Sequence, residues 1–275
     1  MSKANLRVAD VNIFIEGSGD ETLLMIHGWP DTYRLWDGTV AALSAQNRCV
    51  RFTLPGFDIQ QAPRPSTLAE LAETIRCVAE AVSPDQPVTL VLHDWGCIFG
   101  YEFAAKHPAR VARIVAVDIG DYNSPACTRA LSTSAKFQIF TYQFWLALSW
   151  KIGAAGGERF ANWMVRSMAR RMRCPTAASA IHWQMNYPYA MKWFGFKGGL
   201  EHAAHVGPAC PILYTYGARK PFMFQSPEWV EKISSRAGSE VEAFATGHWV
   251  MIEQAELFNR RVAQWLSMSR AAART

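Results

Sequence analysis

The run Leu90-Val91-Leu92-His93-Asp94-Trp95-Gly96-Cys97 places one carboxylate where a buried apolar strand stops in a turn of small residues and a helix begins. A strained strand-to-helix turn of this kind holds its apical side chain above a sheet, and the helix N-terminus offers backbone N–H groups to an anion. Asp94 stands at that apex. A carboxylate is a poor nucleophile toward amides, because the resulting anhydride is too reactive, but it can displace a leaving group from an sp³ carbon to give an ester. Read alone, Asp94 is equally an N-cap for the following helix. The chemistry therefore needs partners elsewhere in the chain.

Three segments supply them. His27-Gly28-Trp29-Pro30 follows a buried strand, where the Trp29 N–H could join the Trp95 N–H in an oxyanion hole, although taken alone it is an ordinary Gly-Pro turn. Thr246-Gly247-His248-Trp249 follows an extended stretch and precedes the last helix, which makes His248 the expected general base. Val117-Asp118-Ile119-Gly120-Asp121 ends the next strand, 24 residues beyond Asp94. Asp118 is placed there to orient the imidazole and stabilise its charged form, in preference to Asp121, which reads as a cap on the following segment. Among the other histidines, His27 and His93 adjoin the motifs as supports, and His107 reads as a surface residue.

The elements that must position these groups alternate along the chain. A loosely alternating edge strand is expected over Leu6 to Phe14, and compact apolar runs predict strands at 23–26, 49–54, 88–92, 114–117 and 212–216. Helical stretches near 67–81 and 98–106 separate them, and a final helix begins near Glu253. Strands alternating with helices imply an α/β fold with a mostly parallel sheet covered on both faces. Residues 122–206, rich in Trp, Phe, Met, Ala and Arg, break the alternation and offer no strand. They are expected to form a helical cap over the C-terminal edge of the sheet, where open α/β folds place ligands, with 1–121 and 207–275 forming the main domain. His182, His202 and His205 fall in that cap.

The chain has 275 residues, half hydrophobic and 19% charged, enough apolar material for one well-buried core. The net charge is +5 and the pI about 8.9. Lys and Arg are scattered apart from short groups such as Arg170-Arg171-Met172-Arg173, so neither nucleic acid nor membrane is an expected partner. The six cysteines lack CxxC spacing and suggest reduced thiols rather than a metal site or a disulfide framework. The first residues lack the apolar core of a signal peptide, and no run reaches membrane-span length, which points to the cytoplasm.

Together, His27-Gly28-Trp29-Pro30, His93-Asp94-Trp95-Gly96, His107-Pro108 and Gly247-His248 resemble the α/β-hydrolase superfamily, in its aspartate-nucleophile branch of epoxide hydrolases and haloalkane and haloacetate dehalogenases. The resemblance spans most of the chain but is vague across the cap. It implies an α/β-hydrolase fold, no cofactor or metal, and two chemical steps: Asp94 forms an alkyl-enzyme ester, then water activated by His248 hydrolyses it. Many relatives carry the triad acid in a Gly-x-x-Asp pattern after the strand ending here at Tyr216, whereas this chain reads Gly217-Ala218-Arg219-Lys220. Other members keep the acid after the strand following the elbow helix, which matches Asp118.

Epoxide and carbon–halogen substrates share this machinery and differ in how the departing atom is stabilised. An epoxide oxygen needs a proton donor, in epoxide hydrolases a cap tyrosine, and Tyr142, Tyr187 and Tyr189 are the candidates here. A halide needs weak donors such as the Trp29 or Trp95 indoles. Haloalkane dehalogenases often carry Asn after the His-Gly pair, where Trp29 stands, and haloacetate dehalogenases carry arginines just after the nucleophile, where none occurs. These departures favour epoxide hydrolysis over dehalogenation, with an esterase-like enzyme or a non-catalytic ligand-binding protein behind both. The expected partners are a small, largely apolar organic substrate and water, with the chain a monomer or homodimer.

Overall fold

A computed structural model describes residues 6–272. In chain order the first half contains β1 (Leu6–Val8), β2 (Val11–Glu16), β3 (Thr22–Ile26), α1 (Asp37–Leu43), β4 (Arg48–Phe52), α2 (Leu68–Val82), β5 (Val88–His93), α3 (Trp95–Lys106) and β6 (Val111–Val117). There follow α4 (Pro125–Ala130), α5 (Thr133–Ala154), α6 (Glu158–Arg171) and α7 (Tyr187–Phe194). The chain then returns through β7 (Ile212–Gly217), α8 (Pro227–Ser234), β8 (Glu240–Phe244), α9 (Val250–Glu253) and α10 (Ala255–Ala272).

The strands form one sheet in the order β1-β2-β4-β3-β5-β6-β7-β8, with β2 antiparallel to both of its neighbours, β1 and β4, and all other pairings parallel. The single edge strand expected over Leu6 to Phe14 is instead a hairpin. Ala9 and Asp10, with φ of 48° and 61°, turn the chain between β1 and β2, the backbone that a two-residue hairpin loop requires.

Successive side chains of a strand point to opposite faces, and here both faces are apolar. Leu24, Ile26, Leu90 and Leu92 pack with Ile75, Val78 and Phe103 of α2 and α3. Leu23, Met25, Val91 and Val115 pack with Trp36, Val40, Phe258 and Trp265 on the opposite face. The α2 helix starts at a capping box in which Thr67 and Glu70 satisfy each other's backbone N–H, and its Leu71, Ile75, Val78 and Val82 recur at helical spacing toward the sheet.

Between β6 and β7 the chain makes four helices, α4 to α7, with short 3-10 turns and no strand among the described residues. This helical insert buries Leu146, Ala147, Val165, Met185 and Tyr189 in the same cluster as the sheet face carrying Leu90 and Leu92. All six cysteines are free thiols, three buried and three partly so.

Candidate active site

Asp94 sits between the last residue of β5 and the first of α3 with φ 51° and ψ −123°, a left-handed backbone that a non-glycine residue holds only when its surroundings impose it. Two glycines let those surroundings close in. A Cβ on Gly96 would lie 2.4 Å from the Ile26 carbonyl oxygen, and one on Gly100 would lie 2.6 Å from the Leu92 side chain. Although Asp94 occupies the N-cap position, its carboxylate makes no capping bond to α3. The side chain is instead held over the sheet edge. Its Oδ2 accepts the Trp29 N–H at 2.8 Å, and the Trp95 N–H also supports the carboxylate. Gly28 makes this approach possible, since a Cβ there would lie 2.6 Å from both Asp94 Oδ2 and Trp95 N. Burial raises the Asp94 pKa, against the opposing pull of His248 and the two N–H donors.

His248, between β8 and α9, turns Nε2 toward Asp94 Oδ1 at 3.7 Å and Nδ1 onto Asp118 Oδ2. Burial alone would lower its pKa, but Asp118, by charge and hydrogen bond, and Asp94, by charge, turn the net shift upward. Asp118, fully buried with φ 76°, also accepts the Gly217 N–H at 3.0 Å and the Lys220 ammonium on Oδ1. Burial pushes its pKa up, yet Lys220 and His248 outweigh burial and hold the carboxyl well below its usual range. Asp121 is occupied elsewhere, binding the Ser226 N–H and hydroxyl at the start of α8 and the Ser124 hydroxyl at the start of α4.

Behind these groups lies a layer formed by His93 and His27, expected from sequence as supports, and by Asp31, which was not assigned a role. His93, whose ring is 4.5 Å from that of His248, bonds the His248 carbonyl through Nε2 at 3.1 Å. Its buried Nδ1 has no hydrogen-bond partner among the described residues and lies 4.0 Å from Asp31 Oδ2. Asp31 accepts from the Thr176 hydroxyl and from Trp249 Nε1, and burial lifts its pKa to about 6. His27 accepts the Leu54 N–H on Nε2 at 2.9 Å, and burial drives its pKa down to about 4. It is a neutral brace for the turn that carries Trp29. Lys220 is the other omission, because its partner is 102 residues away.

Asp94, His248, Trp29, Tyr142 and Tyr189 line one cavity of about 1090 Å³ between the sheet edge and the insert, with Trp145, Met168 and Phe222 among its apolar walls. Tyr142, on α5, and Tyr189, on α7, stand with ring centroids 6.3 Å apart. The Tyr142 oxygen accepts the Gln143 Nε2–H at 2.9 Å, which leaves its own proton free to donate. Burial, and less strongly the Asp94 charge, raises both phenol pKa values, so both are neutral acids near neutral pH.

Tyr187 is not part of this group. Its hydroxyl donates to the Pro55 carbonyl at 3.0 Å and its ring packs on Phe57, so the expectation of a proton donor there is corrected. The two indoles are also committed. Trp29 Nε1 donates to Asn186 at 2.6 Å, and Trp95 does not line the cavity but meets Tyr189 edge-on at 5.1 Å. Both tryptophans therefore reach the site through backbone N–H groups. Among the described residues, no group of three or more His, Cys, Asp or Glu is arranged to hold a metal ion.

Comparison with known proteins bears on fold and family. The chain is 34% identical over 113 residues to "Probable oxidoreductase EphD" of Mycobacterium tuberculosis, covering 39% of this chain and 19% of that one. It is 27% identical over 134 residues to epoxide hydrolase 1 of Caenorhabditis elegans, covering 46% and 33% respectively. The chain thus spans only about a fifth to a third of the length of these curated relatives. The crystal structure of an epoxide hydrolase from Bacillus megaterium superposes with a TM-score of 0.69 at 20% identity, over 95% of this chain and 99% of that one. That likeness extends to the sheet, its flanking helices and the insert. The profile of the alpha/beta hydrolase fold family matches residues 21–173, more than half of the sequence, and the chain belongs to that family.

Proposed function

We propose that the protein is an epoxide hydrolase acting through an ester on Asp94, with the insert serving as the cap of its active site. The observation that carries this reading is the pairing of Asp94 Oδ1, close to His248, with two neutral phenols, Tyr142 and Tyr189, in the wall of the same cavity.

In the first step Asp94 Oδ1 attacks an epoxide carbon while the ring C–O bond breaks. The departing oxygen takes a proton from Tyr142 or Tyr189, whose raised pKa keeps that proton available. In the second step His248 Nε2 removes a proton from water, and the resulting hydroxide adds to the carboxyl carbon of the ester. Negative charge then develops on Oδ2, where the Trp29 and Trp95 N–H groups stabilise it. Collapse breaks the bond to the diol oxygen, which takes the remaining proton of the added hydroxyl, so the diol leaves and Asp94 is restored as a carboxylate, and the proton on His248 returns to the tyrosinate. Asp118 keeps Nδ1 protonated and the ring aimed at the ester throughout.

Dehalogenation would use the same aspartate and histidine but needs N–H donors for halide. The Trp29 indole is bonded to Asn186 and the Trp95 indole lies outside the cavity lining, which favours the epoxide. The test is intact-protein mass spectrometry of His248→Gln after incubation with separate epoxides and haloalkanes. Accumulation of an epoxide-mass adduct on the peptide containing Asp94 is expected. Adducts from haloalkanes alone would reverse the substrate assignment, and full turnover by Asp94→Ala would end the covalent mechanism.

A further inference from the structure

The insert carries a pattern of charge that the reaction above does not use. Of residues 122–206, ten are Lys or Arg and two are Asp or Glu, whereas the rest of the chain holds 18 of the former against 21 of the latter. The insert is thus nearly free of acidic residues while its basic residues are about as frequent as elsewhere, and the protein's positive net charge resides there. Neither α5 nor α7 contains an acidic residue.

The same helices leave an apolar ridge uncovered. Phe137, Phe140, Phe144 and Leu148 recur at three- and four-residue spacing along α5 and so share a face, and all four are exposed, Phe137 by 66%. Phe160 and Trp163 extend the ridge on α6, stacked on each other and both more than half exposed, with Trp163 edge-on to Trp145 of α5 at 6.2 Å. Cations flank it. Lys136 and Lys151 stand toward the two ends of α5, Lys151 Nζ lies 4.6 Å over the Phe194 ring, and Lys192 Nζ lies 6.0 Å over Trp193. Gln138 and Thr141, exposed among the ridge residues, also line the catalytic cavity, so the cavity opens beside the ridge.

We propose that this face of the insert docks on an anionic lipid bilayer, its aromatic ridge entering the boundary between headgroups and acyl chains. Exposed Phe, Trp and Leu bordered by basic residues are what such an interface takes up, and the long lysine stems let their ammonium groups reach the headgroups. A second copy of the chain is a poor occupant, because it would bring two strongly basic inserts together. A nucleic acid would neutralise the cations but leave the Phe and Leu ridge in water. Docked in this way, the protein presents its cavity mouth to molecules dissolved in the bilayer. The inference holds whether or not the reaction proposed above is correct.

Co-sedimentation of the whole protein with vesicles tests it. Binding is expected to vesicles of phosphatidylcholine mixed with phosphatidylglycerol, not to phosphatidylcholine alone, and should weaken as salt is raised. Each lysine near an anionic surface strengthens binding roughly five-fold, so Lys136→Gln/Lys151→Gln should weaken it roughly 30-fold. Phe137→Ser/Phe160→Ser should also weaken it, with melting temperature as the control for folding. Failure to bind mixed vesicles, or binding undiminished in both variants, overturns the proposal. A concentration-dependent dimer dissociated by Phe137→Ser/Phe160→Ser would assign the face to a second copy instead. Tighter binding to single-stranded RNA than to mixed vesicles, weakened by the same variants, would likewise overturn it.

Discussion

Lys220 and His248 compete for one carboxylate. Asp118 gives Oδ1 to the ammonium and Oδ2 to the imidazole, so the lysine draws off part of the negative charge that would otherwise favour imidazolium. A base must be neutral to accept a proton, and His248 already has a raised pKa. Removing a neighbouring cation raises it further. The acid limb of the pH–rate profile, where activity disappears as pH falls, is therefore expected to move to higher pH in Lys220→Met and to stay in place in Lys220→Arg. A lower rate with an unmoved limb would reduce Lys220 to a structural support. Asp31 runs the other way from a paired carboxylate. Its folded pKa of about 6 lies above the ordinary carboxylate value of 3.8, so its ionisation costs stability that is fully present below the unfolded pKa and lost as pH rises through 6. Asp31→Asn should stabilise the protein by up to about 3 kcal/mol at pH 8 and little at pH 4, measured as melting temperature. The meeting of Asp94, His248 and Asp118 was legible in the sequence because each sits in a short local motif. Tyr187 was misread because two residues along a helix turn the side chain by about 200°, so Tyr187 and Tyr189 cannot both face one cavity.

At the scale of elements, the site depends on how closely β3 and its turn approach the start of α3. Gly28 carries that approach, with no room for a methyl group between it and Asp94 Oδ2. In the proposed reaction, Gly28→Ala is expected to slow ester hydrolysis about 10²-fold or more through loss of the Trp29 N–H. Preserved ester formation with stalled release would separate this effect from simple misfolding. The central strands and α2 were readable because buried parallel strands are short continuous apolar runs and α2 has both a helical period and a capping box. The β1–β2 hairpin was not, since neither Ala9 nor Asp10 is the glycine that usually announces a left-handed turn. The first turn of α3 was missed too, because Trp95-Gly96-Cys97 has no helical hydrophobic period; its geometry follows from contact with Ile26 and His27.

For the whole molecule, the candidate site is a joint between the sheet edge and the insert. The Thr176 hydroxyl on Asp31 and the Asn186 oxygen on Trp29 tie the two together at its back and wall. Those ties link residues 145 and 157 positions apart, separations at which a single sequence gives no pairing signal. The helical character of 122–206 was legible from composition and spacing, but which of its residues face the cavity was not. Segregating the charge has a physical consequence of its own. A basic insert on a slightly acidic body makes the molecule an electric dipole, so a charged surface exerts a torque on it before contact. At the anionic bilayer proposed above, orientation would precede adhesion over roughly a Debye length, about 8 Å at physiological ionic strength, and bring the cavity mouth in first.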